Sequence, residues 1–161
     1  MDNIRTEVEN AIKRFGLSRQ RAFEVSKLEY ESIIRRIEKR FVRNDGCLHW
    51  SNINGFKPGI GNVDVDSRGL LQWYHFIGGI FGDGPAYVLL EDDFDKLWVY
   101  EMYHSEMCRI LDECQVCDIY IVSKKLDWLI SENHSGVLCF VGGITPPESL
   151  ISAIAAYAES R

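Results

Sequence analysis

The chain has 161 residues, of which 46% are hydrophobic, 12% aromatic and 26% charged. This is the balance of an ordinary globular protein and excludes disordered, fibrous and collagen-like chains. Folding at this length removes roughly 70% of the unfolded surface from water, so one sizeable core is available and a single domain over residues 1–161 is expected. The net charge of −6 hides an asymmetry: residues 1–43 hold 11 Lys or Arg against 7 Asp or Glu, and residues 44–161 hold 7 against 17. A basic helical N-terminal part, 1–43, precedes an acidic α+β body, 44–161, and the two are expected to attract each other.

In chain order, Asp2 is a candidate N-cap, and Ile4, Val8, Ala11, Ile12 and Phe15 then recur at helical spacing up to a stop at Gly16. Ser18 is the candidate cap of a longer second helix with the apolar stripe Tyr30, Ile33, Ile34, Ile37 and Phe41. Its other side carries Arg35, Arg36, Lys39, Arg40 and Arg43. From Cys47 to Asp66, Asn, Gly and Pro punctuate every apolar run and predict mostly loop. Ser67 is placed as the cap of a helix carrying Leu70, Leu71, Tyr74, Ile77 and Phe81, which Gly78 and Gly79 weaken by about 1 kcal/mol each. Ala86 to Leu90 and Leu97 to Met102 predict a hairpin around Glu91-Asp92-Asp93-Phe94-Asp95, with Trp98, Tyr100 and Met102 on one face and Leu97, Val99 and Glu101 on the other. A helix from about Ser105 to Cys114, a strand Asp118 to Val122, a helical turn around Trp128, a strand Val137 to Val141 and a helix after Pro146-Pro147 complete the chain. The order predicts an α+β fold, with N-terminal helices followed by a mainly antiparallel sheet with interleaved helices on one of its faces.

Met1-Asp2-Asn3-Ile4-Arg5 opens a charged stretch without the apolar core of a signal peptide, so export is not expected. Leu70 to Phe81 and Gly136 to Ile144 are too short to cross a bilayer, and a cytoplasmic address follows. The five cysteines, an odd number at low density, are expected as reduced thiols.

Cys114-Gln115-Val116-Cys117 has the spacing of a redox dithiol, yet it lies between a helix and a strand rather than at a helix start, where the dipole lowers a thiol pKa. His104 and Cys108 share a helical face at i and i+4 and, with Cys114 and Cys117, offer four zinc ligands; Cys108 and Cys114 equally fit the buried side of their helix. Glu91, Asp92, Asp93 and Asp95 crowd one turn without the ligand spacing or glycine of a calcium loop, and read as solvated carboxylates or contact groups. Glu132 and His134 are the candidate acid–base pair; a histidine that fixes its loop through hydrogen bonds is the competing reading. The glycine-rich stretches carry neither phosphate-binding nor dinucleotide spacing, and no cofactor is implied.

Leu97-Trp98-Val99-Tyr100-Glu101, Ile119 to Lys125, Asp127-Trp128-Leu129 and Glu132-Asn133-His134 all fall in the segment Tyr87 to Gly142, which resembles a family of small uncharacterised bacterial proteins with a domain of unknown function. The resemblance implies no activity. In size and acidity the chain also resembles the immunity proteins of bacterial toxin systems, which work by covering a toxin's active site. The expected function is a non-catalytic protein-binding module, immunity-like in its most specific form, with Glu91 to Asp95 steering a basic protein partner. The alternative is a small enzyme using Glu132 and His134, joined by His104 or Glu101. Nucleic-acid binding through Arg35, Arg36, Lys39, Arg40 and Arg43 is opposed by the acidic remainder, and no membrane partner is expected.

Overall fold

The computed structural model describes residues 3–43, 46–53, 61–67, 70, 72–92, 96–115 and 118–160. Helix α1 spans Ile4–Phe15; the Asn3 side chain accepts the Thr6 N–H at its start, and Gly16, at φ 59°, ends it in the left-handed conformation that glycine adopts without penalty. Asp2, the cap expected from sequence, lies outside the described residues.

The second helix does not begin at Ser18. The Ser18 carbonyl closes a turn onto Arg21 and Ala22, and Ala22–Glu24 then form a short strand, β1. Helix α2 starts only after Ser26 and spans Lys27–Phe41. Residues 18–25 lack a helical stripe, so pairing with a neighbouring strand decides their conformation.

Further along come β2 (Asn62–Asp66), a 3-10 turn at Trp73–Ile77 running into α3 (Gly78–Phe81), β3 (Ala86–Glu91), β4 (Leu97–Met102), α4 (His104–Asp112), β5 (Asp118–Ser123), β6 (Leu129–Glu132), β7 (Val137–Val141) and α5 (Glu148–Glu159). Three segments differ from expectation. The stretch before Ser67 contains β2, whose Val63 and Val65 alternate with Asp64 and Asp66. The Ser67 hydroxyl, expected as a helix cap, turns to Glu132 and the Gly136 carbonyl, and residues 68, 69 and 71 of the expected helix lie outside the described residues. The segment after Trp128 is strand β6, because short apolar runs do not declare their period and here a gap between two strands is filled.

The seven strands form one sheet in the order β1-β4-β3-β5-β6-β7-β2, and every neighbouring pair is antiparallel. The α+β arrangement is therefore as the sequence predicts. Its helices, however, cover both faces. On one, Val8, Ile12, Met107 and Ile110 of α1 and α4 meet Val88, Tyr100, Ile121 and Phe140. On the other, Ile33, Ile37 and Phe41 of α2 meet Leu89, Val99, Tyr120 and Leu129. Sheet residues of even number face α1 and those of odd number face α2 across β4, and the expected alternation of Leu97 to Met102 holds.

Arg14 to Glu113 at 3.0 Å and Arg21 to Glu106 at 2.9 Å join the basic N-terminal part to the acidic body. At the far end of β7, Gly142 has φ +100° and a side chain there would place its Cβ 2.3 Å from the Asp127 carbonyl oxygen, so only glycine lets the strand pass the turn between β5 and β6. No helix among the described residues is long and apolar enough to cross a membrane.

Phe140 is fully buried, whereas Trp98 is half-buried at the rim of the core. Phe140→Ala is expected to cost about 3 to 5 kcal/mol, and Trp98→Ala distinctly less. Urea unfolding of both variants checks this ordering, and equal losses contradict it.

Candidate functional site

Antiparallel register gathers the ends of β2, β3 and β6 and the start of β5 at one end of the sheet. Glu91 stands opposite Asp118, Ile119 opposite Glu132, and Asp66 opposite Val137. Asp66, Glu91, Asp92, Asp118 and Glu132 are thereby concentrated where these strands end or begin.

Glu91 and Asp118 are directly cross-strand on the α2 face, and they are only 5% and 7% exposed. Buried carboxylates require donors, and both have them. The Tyr120 hydroxyl donates to Glu91 Oε2 at 3.1 Å. The His134 backbone N–H donates to Asp118 Oδ1 at 2.9 Å, and His134 Nδ1 lies 3.5 Å from the same oxygen. Burial, reinforced by the Glu91 and Asp118 carboxylates, pushes the Tyr120 phenol well above its ordinary pKa, so it is a donor at neutral pH. From His134 a row of rings leads away: the Trp50 and His134 rings meet edge to face at 5.6 Å, and His49 tilts against Trp50 with centroids 5.3 Å apart. His49 also opens the 3-10 turn Trp50–Asn52, accepting the Ser51 N–H through Nδ1 at 3.3 Å.

Glu132 belongs to the other face. Its Oε2 lies 2.9 Å from the Ser67 hydroxyl. The Trp73 indole N–H is near enough to favour the anion but falls outside hydrogen-bonding geometry. Burial outweighs both donors and raises the Glu132 pKa above its ordinary 4.5, with Asp118 acting in the same direction.

Glu132 and His134, paired by their closeness in sequence, thus face different partners on opposite sides of the sheet. At His134 it is the main-chain N–H, rather than the imidazole, that bonds Asp118, and the side chain is 57% exposed. Glu101 is bound to Lys124 at the other end of β4. Of the acidic turn, Glu91 is turned inward, and Asp92 closes the hairpin by accepting the Lys96 N–H at 3.0 Å and the Trp98 indole N–H at 3.2 Å. Asp93 and Asp95 lie outside the described residues. Arg35, Arg36, Lys39 and Arg40 occupy the exposed face of α2, with Arg43 just beyond its end.

His104 and Cys108 do share a face of α4, with Nε2 and Sγ 3.4 Å apart. His104 Nε2 lies 2.8 Å from the Tyr74 carbonyl oxygen, an acceptor, so this nitrogen carries the proton. Burial pushes the Cys108 thiol up to about 12, so the dyad lacks the thiolate that a nucleophile requires. Burial likewise takes Cys114 to about 12, with Glu7 and Glu113 adding to the shift. Cys117 lies outside the described residues, and among the described residues no three or more of His, Cys, Asp and Glu are grouped to hold a metal ion.

Sequence reasoning missed Asp118, Tyr120, His49 and Trp50 as parts of one site. The strand Asp118 to Val122 was legible, but only the register with β3 puts Asp118 beside Glu91.

Two outcomes follow from these ionisations. Because the native state holds the Glu132 proton more tightly than the unfolded chain, its contribution is favourable below pH 4.5 and is lost as pH rises through the elevated native pKa. Glu132→Gln does not titrate, so its stability relative to wild type should increase between about pH 4 and pH 8 in urea unfolding; a difference flat with pH contradicts the assignment. Cys47 is exposed while Cys108 and Cys139 are buried. Brief thiol labelling of the native protein followed by peptide mapping should find Cys47 modified and Cys108, Cys114 and Cys139 unmodified.

A model of a family of unknown function (DUF6756) matches residues 1–150, a wider span than the segment Tyr87 to Gly142 on which the sequence resemblance rests. No curated protein and no solved structure matches the chain. A match over so much of the chain places it in a family: the protein belongs to the family of unknown function DUF6756.

Proposed function

We propose that this protein is a non-catalytic binding module that docks a basic protein partner against the acidic end of its sheet. The observation that carries this reading is the cross-strand pair of inward carboxylates, Glu91 and Asp118, with the His134 ring beside Asp118 and Trp50 and His49 continuing the row of rings from it. Acidic groups concentrated at one end of the sheet favour the steering of a cationic surface toward it. Asp66 and His134 are exposed at the same end, and such polar groups beside aromatic rings suit the rim of a protein interface. In its most specific form the module is an immunity-like inhibitor that covers the basic active-site surface of a bacterial toxin from the same cytoplasm. Acid–base catalysis by Glu132 with His134 is the weaker reading, since the two side chains are held on opposite faces.

The test is a comparison of native-host extracts passed over the wild-type protein and over Asp66→Lys, with the fold of both verified by circular dichroism. A specific basic protein should be retained by the wild type, eluted by moderate salt, and bound about tenfold more weakly by the variant. Retention indifferent to both salt and the charge reversal, or no specific partner, refutes the proposal.

A further inference from the structure

Two cavities lie side by side along β1, away from the carboxylates of β5 and β6. The larger, 520 Å³, is walled by Arg5, Glu9, Lys13, Arg19 and Glu24, with Tyr100 also in its lining. The smaller, 140 Å³, has Lys27, Lys96 and Trp98 in its wall and shares Arg5 and Glu24 with the first. Arg5 and Glu24, the two residues common to both linings, are joined at 2.9 Å and 3.0 Å.

The charge of this groove is opposite to that of the chain. Among the described residues five cations face two carboxylates, an excess of three positive charges in a protein of net charge −6. Glu9 is engaged by Arg19 through bonds of 2.6 Å and 3.1 Å, and Glu24 by Arg5. Lys13 stands 3.9 Å from Glu9, while Lys96 rests over the Trp98 ring at 4.0 Å.

An independent observation concerns Tyr100. It is 2% exposed, and its hydroxyl has no hydrogen-bond partner among the described residues. It stands cross-strand from Glu24, within the electrostatic reach of both Glu24 and Arg5. A buried hydroxyl left without an acceptor is costly, and native folds keep few of them.

We propose that this groove binds a small multivalent anion bearing phosphate or carboxylate groups, which displaces Glu24 from Arg5 and accepts a hydrogen bond from the Tyr100 hydroxyl. The side chains of Arg5 and Glu24 are 55% and 34% exposed, and an ion pair so solvated is weakly held and readily exchanges partners. Once it parts, the two cavities become one and Tyr100 is uncovered. Burial, with Glu24 next in effect, raises the Tyr100 pKa, so the phenol meets an anion as a donor. A volume of 520 Å³ is within the range of small-molecule sites, roughly 300 to 1,000 Å³.

Isothermal titration with pyrophosphate and, separately, with citrate, each against sodium chloride of equal ionic strength, tests the site. Saturable binding of either probe is expected; pyrophosphate alone marks a phosphate ligand, and citrate alone a carboxylate one. The double variant Lys13→Gln/Arg19→Gln, both positions at the surface, should bind about tenfold more weakly. Tyr100→Phe should weaken binding by a smaller factor while leaving the unliganded protein at least as stable, because it removes a hydroxyl without a partner. Unchanged affinity in both variants, or no saturable response to either anion, overturns the proposal.

Discussion

The structure depends on the hydrogen-bonded pairing of β3 with β4 on one side and β5 on the other. All six residues of β3 are buried, so the strand has no solvent face at all. Such a strand requires cover on both sides of the sheet, which is why α1 and α4 pack on one side and α2 on the other. The apolar alternation of β4 and β5 follows, since each neighbour of β3 must complete both cores at once. Even the placement of β1 serves this end: it lies along the outer side of β4, and α2 crosses the sheet immediately after it.

The same pairing makes the acidic end of the sheet. β3 closes on Glu91 and β5 opens on Asp118, so the register that aligns their apolar centres also sets two carboxylates side by side. Buried carboxyl groups are poorly solvated and require hydrogen-bond partners. They are tolerated because Tyr120 supplies a hydroxyl from within the strand and the loop at His134 supplies a backbone N–H. The site is therefore not an appendage. It is what the central strands become when they run out of apolar residues, and its donors come from the scaffold.

Much of this architecture was legible in the sequence. β3, β4, β5 and β7 announce themselves by β-branched and aromatic runs between turn residues, and α1 by its stripe and its terminal glycine. Legibility failed where an element is defined by its partner. Ala22–Glu24 is too short for a period and becomes strand only beside Tyr100 to Met102. Leu129–Glu132 follows Trp128 in a run that suits helix or strand equally, and β5 and β7 decide between them. For the site, residue types were visible but proximity was not. Glu132 and His134 are near in sequence and point apart, whereas Glu91 and Asp118 are 27 positions distant and adjacent in space. The β1 groove was hidden for the same reason, since its cations look like an ordinary solvated helix face until Glu24 and Tyr100 are placed beneath them.

Gly142 couples two segments that the chain keeps apart. Its Cα lies so near the Asp127 main chain that no side chain fits, while Ser123 Oγ accepts the Asp127 N–H at 2.7 Å from the other side. The tip of the turn is thus held between β5 and the residue that follows β7. During sequence drift the two segments are inherited as one unit: the turn cannot shift toward β7 while position 142 bears a side chain, and position 142 is released from glycine only if the turn changes length or withdraws. Insertions that a surface connection would ordinarily absorb are accommodated here only by a compensating change some fifteen residues downstream.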